Sequence, residues 1–86
     1  MKIIDVVKDF SQGATKGNAN TVQIDGNKLY SYGAIIAVRT PVGIVLNAHP
    51  YSMTTTRHQN TVRAFCKVVK EFDNEVDMMV YYLSLL

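Results

Sequence analysis

Ala34, Ile35, Ile36, Ala37 and Val38 stand in a row with no polar residue among them. A strand made from such a run is apolar on both faces, so it is stable only inside a sheet that is covered on both sides. The cover has to come from helices of the same chain or from a second subunit, and that requirement bounds every fold open to the chain.

The flanking residues say what kind of sheet it is. Val22 and Ile24 alternate with Thr21, Gln23 and Asp25; Asp25-Gly26-Asn27 then supplies a turn, and Leu29, Tyr30 and Tyr32 resume with strand-favouring side chains. Ala34 to Arg39 and Val42 to Asn47 form a second hairpin across Thr40-Pro41, with Pro41 suited to the second position of a turn. The two hairpins predict a small antiparallel sheet of three to four strands within residues 21–47.

Helices are expected on either side of it. Ile3, Val6, Val7 and Phe10 have the spacing of one helical face, and Gly13 lies where that helix would end. The small, polar stretch from Gly13 to Asn20 reads as a loop and as the most mobile part of the chain. After His49-Pro50, hydroxyls between Ser52 and Thr56 are candidate N-caps for a helix whose Val62, Phe65, Cys66, Val69 and Phe72 share a face. Arg63, Lys67 and Lys70 make its basic flank. Asp73 or Asn74 begins a last helix with Val76, Met79, Val80, Leu83 and Leu86 on one side. That helix carries a second apolar set, Met78, Tyr81, Tyr82 and Leu85, which would remain exposed once the first is buried. A contact with a partner, or with a second copy in a homodimer, would cover it; the plainer account is a C-terminus tucked deeper into the domain. The expectation is an α+β fold, one domain over residues 1–86, its sheet packed with an N-terminal helix and two C-terminal helices.

Composition agrees with a folded chain and narrows the partners. Of the 86 residues, 48% are hydrophobic and 19% charged, on the globular side of the divide from disordered chains. The formal charge of +2 is too small for the field of a dedicated nucleic-acid binder. A single cysteine, Cys66, forms no internal disulfide, so a reducing cytoplasm is the default compartment. MKIIDVVKDF lacks the features of a secretory signal, and no apolar run is long enough to cross a bilayer, so no membrane association is expected.

The chemistry-bearing residues are few. His49, His58 and Cys66 are the ingredients of a metal site, yet His58 and Cys66 fall two helical turns, roughly 12 Å, apart on the expected helix. Cys66 reads instead as a small core residue, unreactive because desolvation raises a thiol pKa, with His58 packed near Phe65. The carboxylates Asp5, Asp9, Asp25, Glu71, Asp73, Glu75 and Asp77 fall in turns, caps and polar faces, and no nucleotide or cofactor signature occurs. No catalytic residue, metal or cofactor is assigned, and an enzyme is not expected. The densest polar segment runs from Tyr51 to Gln59 at a helix start, where Thr54, Thr55, Arg57 and His58 could hold a phosphate. Arg63, Lys67 and Lys70 would then follow a nucleic-acid backbone, with Tyr51 stacked on a base. The competing account is that threonines gather at helix starts because they cap.

Leu29-Tyr30-Ser31-Tyr32-Gly33 with Ile36-Ala37, followed by Tyr51-Ser52, Thr54-Thr55 and Arg57-His58-Gln59, resembles a domain of small uncharacterised bacteriophage and prophage proteins. The pattern there runs about L-Y-S-Y-x-T-x-I-A, a short hairpin, then Y/W-S-x-T-T-x-x-H. The resemblance covers about residues 22 to 65, and Ala34 and Ile35 depart from it by replacing a commoner polar residue. It implies a phage or mobile-element origin, a host-cell cytoplasmic location and the strand-strand-helix core, and it implies no activity. Small phage proteins often bind a host or phage macromolecule, and inhibitors of bacterial defence systems, anti-CRISPR proteins among them, are one class of these. Three functions are carried forward: a protein-binding inhibitor or adaptor, a nucleic-acid-binding accessory protein, and a small enzyme.

Overall fold

A computed structural model describes residues 2–86. Its elements are α1 (Ile3–Ser11), β1 (Lys16–Ala19), β2 (Val22–Asp25), β3 (Lys28–Ser31), β4 (Ala34–Thr40), β5 (Gly43–Asn47), α2 (Met53–Phe65), β6 (Val68–Phe72) and α3 (Glu75–Ser84). The fold is α+β, with one helix before the sheet and two toward the C-terminus. The sheet has six strands rather than three or four, in the order β1-β2-β3-β4-β5-β6.

The expected central strand is β4, and its double-sided character comes from a bulge. Leu29 pairs with Ala37 and Tyr30 with Ile35, so Ile36 is the extra residue. Ile36 and Ala37 both join the core under α1 and α2, with Val6, Val7, Phe10, Leu29 and Val62, while Ile35 and Val38 join Met78 and Phe72 under α3. The second cover is therefore a helix of the same chain.

Both strands beyond the expected four correct the sequence reading. The Gly13–Asn20 stretch, read as a mobile loop, contains β1, which pairs antiparallel with β2 from Lys16↔Asp25 to Ala19↔Val22. Its residues are small and polar because it is an edge strand, and only Ala19 is buried. The long helix expected through Phe72 ends at Phe65, and Val68–Phe72 turns back as β6, parallel to β5. Without it the outer edge of β5 would carry unpaired backbone groups against a buried strand; Ile44 N–H donates to Lys67 O and Ala48 N–H to Phe72 O. A parallel neighbour requires a crossover, and α2 is that crossover.

Gly43 makes this junction possible. Its φ is +133°, and a Cβ built there would lie 2.6 Å from Val69 Cγ1. Gly43→Ala therefore combines backbone strain with a clash against β6. A loss of roughly 2–3 kcal/mol is expected, read as a lower urea midpoint; an unchanged midpoint would show that the β5–β6 contact is looser than described.

Candidate functional site

The face that α2 turns to the sheet is polar. Thr55, His58, Gln59 and Val62 are its buried residues, spaced as one helical stripe, and only Val62 is apolar. Each polar member has a partner, as burial demands. Gln59 Nε2 donates to Asn47 O and His49 O at 2.7 and 3.0 Å, tying the helix to the end of β5. Thr55 and His58 meet Ser31, the last residue of β3: Ser31 Oγ is 3.2 Å from Thr55 Oγ1 and 2.7 Å from His58 Nδ1.

These contacts form a chain that continues to the start of α2. Ser52 is the N-cap of α2, its Oγ accepting from Thr55 N–H at 3.1 Å and donating to Thr55 Oγ1 at 3.3 Å. Either hydroxyl can donate in the Ser31–Thr55 bond, and Ser31 can donate to Nδ1 of a neutral His58. Burial also lowers the His58 pKa from its ordinary value, in keeping with that neutral ring. The unfolded chain then takes up a proton before the folded one does as pH falls below about 6.5. The stability from the neutral ring is complete above that pH and declines through it toward the lower folded value. The urea midpoint should fall as the pH is lowered from about 7.5 to about 5.5, and His58→Gln should flatten that slope. An unchanged slope in His58→Gln would show that the buried ring is not the sensitive group.

Two aromatic side chains stand at the surface above this network. Tyr32 and Gly33 connect β3 to β4 with φ of 52° and 82°, a turn of the kind that favours Asn-Gly. Tyr32, read from sequence as a strand residue, is therefore in the turn, in a conformation that disfavours bulky side chains. It is 60% exposed, and its ring is inclined 21° to the His58 ring with centroids 6.3 Å apart. Tyr51, on the other side, is fixed: its hydroxyl accepts from Asn47 Nδ2 at 2.9 Å and its ring meets His49 edge-on at 4.7 Å.

Between and beside them are two open hollows that share Tyr51 and Ser52 as a wall. One, of about 490 Å³, is lined by Ser31, Tyr32, Ala34, Thr54 and Thr55; the other, of about 340 Å³, by Pro50, Met53, Thr56 and Arg57. Met53 is 78% exposed at the rim of the second. Volumes of this size are those of small-ligand or side-chain pockets.

The residues expected to hold an anion are thus divided. Thr54 and Arg57 are exposed at the rim, while Thr55 and His58 are buried in the hydroxyl chain. The basic flank is taken apart because the helix stops early. Arg63 donates to both carboxylate oxygens of Glu71, Lys67 lies in the connection after α2, and the Lys70 amine sits over the rings of Phe72 and Tyr81 on the α3 side. Cys66 is half-buried at the end of α2, and burial pushes its thiol up to about 11.

On α3 the set expected to stay exposed, joined by Met79, is the one that packs against the sheet. Met78 is fully buried, and Tyr81 and Tyr82 pack against its core. Leu85 is half-buried, so none of the four contact candidates is fully open to solvent. Val76, Val80 and Leu83 face outward at 69%, 61% and 60% exposure. The sheet takes the set with larger rings because these fill the space over Val38 and Val45 and give Tyr82 a hydrogen bond from Asn27.

Sequence reasoning missed Ser31, Tyr32, Asn47 and Met53. The repeated Y-S pairs, Tyr30-Ser31 and Tyr51-Ser52, were the available signal, since the two stretches carrying the resemblance come together at this one place. Among the described residues no cluster of His, Cys, Asp and Glu has the form of a metal site, and no helix is long and apolar enough to cross a membrane. No curated protein and no solved structure matches the chain. The sequence model of a family of unknown function spans residues 7–78, from α1 to the buried Met78 and with every groove residue inside it, and the chain belongs to that family, DUF8033.

Proposed function

We propose that this chain acts by binding another protein through the groove flanked by Tyr32 and Tyr51 at the start of α2. One observation carries the reading: Tyr32 is a large, exposed aromatic kept at a left-handed turn position that Asn or Gly would occupy with less strain. Strain retained at an exposed aromatic that lines the hollow of about 490 Å³ supports a contact role, and Tyr and Met are residue types that carry interfaces. Binding is favoured over catalysis because Ser31 is fully buried and its hydroxyl is engaged by Thr55 and His58. Dispersal of Arg63, Lys67 and Lys70 weighs against nucleic acid as the partner. Small phage proteins often bind a host or phage macromolecule, so a host or phage protein is the partner class proposed, and occlusion of a defence-system component is the action open to such a binder.

Tyr32→Asn separates function from stability. The variant should be more stable by about 0.5–1 kcal/mol and should lose the protein that the parent chain retains from host lysate. Tyr51→Ala should lose the same protein, and Leu83→Glu should keep it. Retention of the partner by Tyr32→Asn and Tyr51→Ala alike would contradict the proposal. The outward stripe Val76, Val80 and Leu83 supports a second, weaker contact, self-association into a homodimer. Light scattering should then give a mass that rises with concentration in the parent and stays monomeric in Leu83→Glu; a monomer mass at every concentration would remove the dimer.

A further inference from the structure

We infer that the two hollows are paired side-chain pockets for an extended, acidic, proline-containing segment of the partner, an inference that rests on the groove being a protein-binding site. The hollows are adjacent and share the Tyr51–Ser52 wall. A chain crossing that wall drops one side chain into each. A polyproline II segment, with three residues per turn, presents residues i and i+3 on one side, about 9 Å apart. Flat aromatic walls suit pyrrolidine rings, and a chain already extended loses little entropy on docking.

Three donors at the hollows are left without a partner among the described residues. Arg57 makes no ion pair among the described residues, and the amides of Met53 and Thr54, in the first turn of α2, have no hydrogen-bond partner there. No carboxylate lines either hollow. Proline-rich chains are the complement, because their carbonyls are unpaired acceptors and proline lacks an N–H. An acidic residue in the segment meets Arg57 and the positive end of α2. Single-stranded nucleic acid also offers acceptors and flat rings, but Arg57 is the one cation lining the hollows, where backbone binding needs several.

Selection of a random dodecapeptide display library on the full-length chain tests this. The expected outcome is enrichment of sequences with proline and Asp or Glu, lost on Met53→Ala with Tyr32→Asn, both at exposed positions that leave the fold intact. A blocked synthetic peptide of the enriched sequence should shift the amides of residues 32–34 and 51–57 in NMR spectra, and Arg57→Glu should weaken it at least fivefold. Three results would overturn the inference: no enrichment, enrichment without proline, or tighter binding of oligo(dT) than of any selected peptide at the same amides. If groove variants lose the lysate partner while the library yields other sequences, this inference falls and the protein-binding reading stands.

Discussion

Arg39→Met should destabilise the chain by about 2–4 kcal/mol, a large share of the stability of a domain this small. Arg39 lies on β4 toward α1, half-buried. Its guanidinium donates to Phe10 O at 2.6 Å, to Ala14 O and Gly26 O at 3.1 Å each, and to Asn27 Oδ1 at 3.3 Å, while lying 4.9 Å from the Phe10 ring centroid. One cation thus closes the C-terminal end of α1, the start of β1 and the β2–β3 turn, and carbonyls rather than a carboxylate balance it. The negative end of the α1 dipole is part of that balance. Methionine keeps much of the apolar stem but leaves those carbonyls without their donor. A thermal midpoint lowered by more than 10 °C, roughly the equivalent of 2 kcal/mol for a chain of this size, is expected. A fall of only a few degrees would mean that water replaces the guanidinium at little cost.

Asn47→Ala should cost a similar 2–4 kcal/mol, because a fully buried side chain leaves three partners behind. Asn47 Nδ2 donates to Ile35 O at 3.0 Å and to the Tyr51 hydroxyl, and Oδ1 accepts from His49 N–H at 3.0 Å. It joins the centre of the sheet to the groove wall, so the variant should also free the Tyr51 ring. Tyr51→Phe, which removes the hydroxyl alone, should lose only about 1 kcal/mol. Equal losses for the two variants would assign the whole effect to Tyr51 and contradict the bridging role of Asn47.

How far the fold was legible depended on whether neighbours in sequence decided it. Val6, Val7 and Phe10 specify α1 by spacing alone, and Ser52 and Asn74 begin their helices with side chains that accept from the third residue on. The two-sided run at Ala34–Val38 announced cover on both faces. β6 was hidden because Phe65, Val69 and Phe72 happen to repeat at a helical interval; the open edge of β5, which the sequence does not display, decides for a strand. β1 was hidden because an edge strand of small polar residues has the composition of a loop. On α3 two apolar faces competed, and the shape of the space above Val38 and Val45 chose Met78, Tyr81 and Tyr82.

The site was half legible for the same reason. Tyr51, Thr54, Thr55, Arg57 and His58 stand out within one segment, as hydroxyls, rings and a cation at a helix start. What they do depends on Ser31, 24 residues before Thr55 in the chain. That contact converts Thr55 and His58 from anion ligands into a buried support and leaves Tyr32, Tyr51 and Met53 as the surface. A polar helix face that is buried cannot be told from a solvated one until the strand beneath it is known.

Amide hydrogen exchange of the chain alone and in complex with the protein it retains from lysate tests the account most directly. Protection gained at residues 31–34 and 51–57, with residues 76–86 unchanged, is the predicted footprint. Protection confined to 76–86 would contradict it and move the functional surface to the outward face of α3.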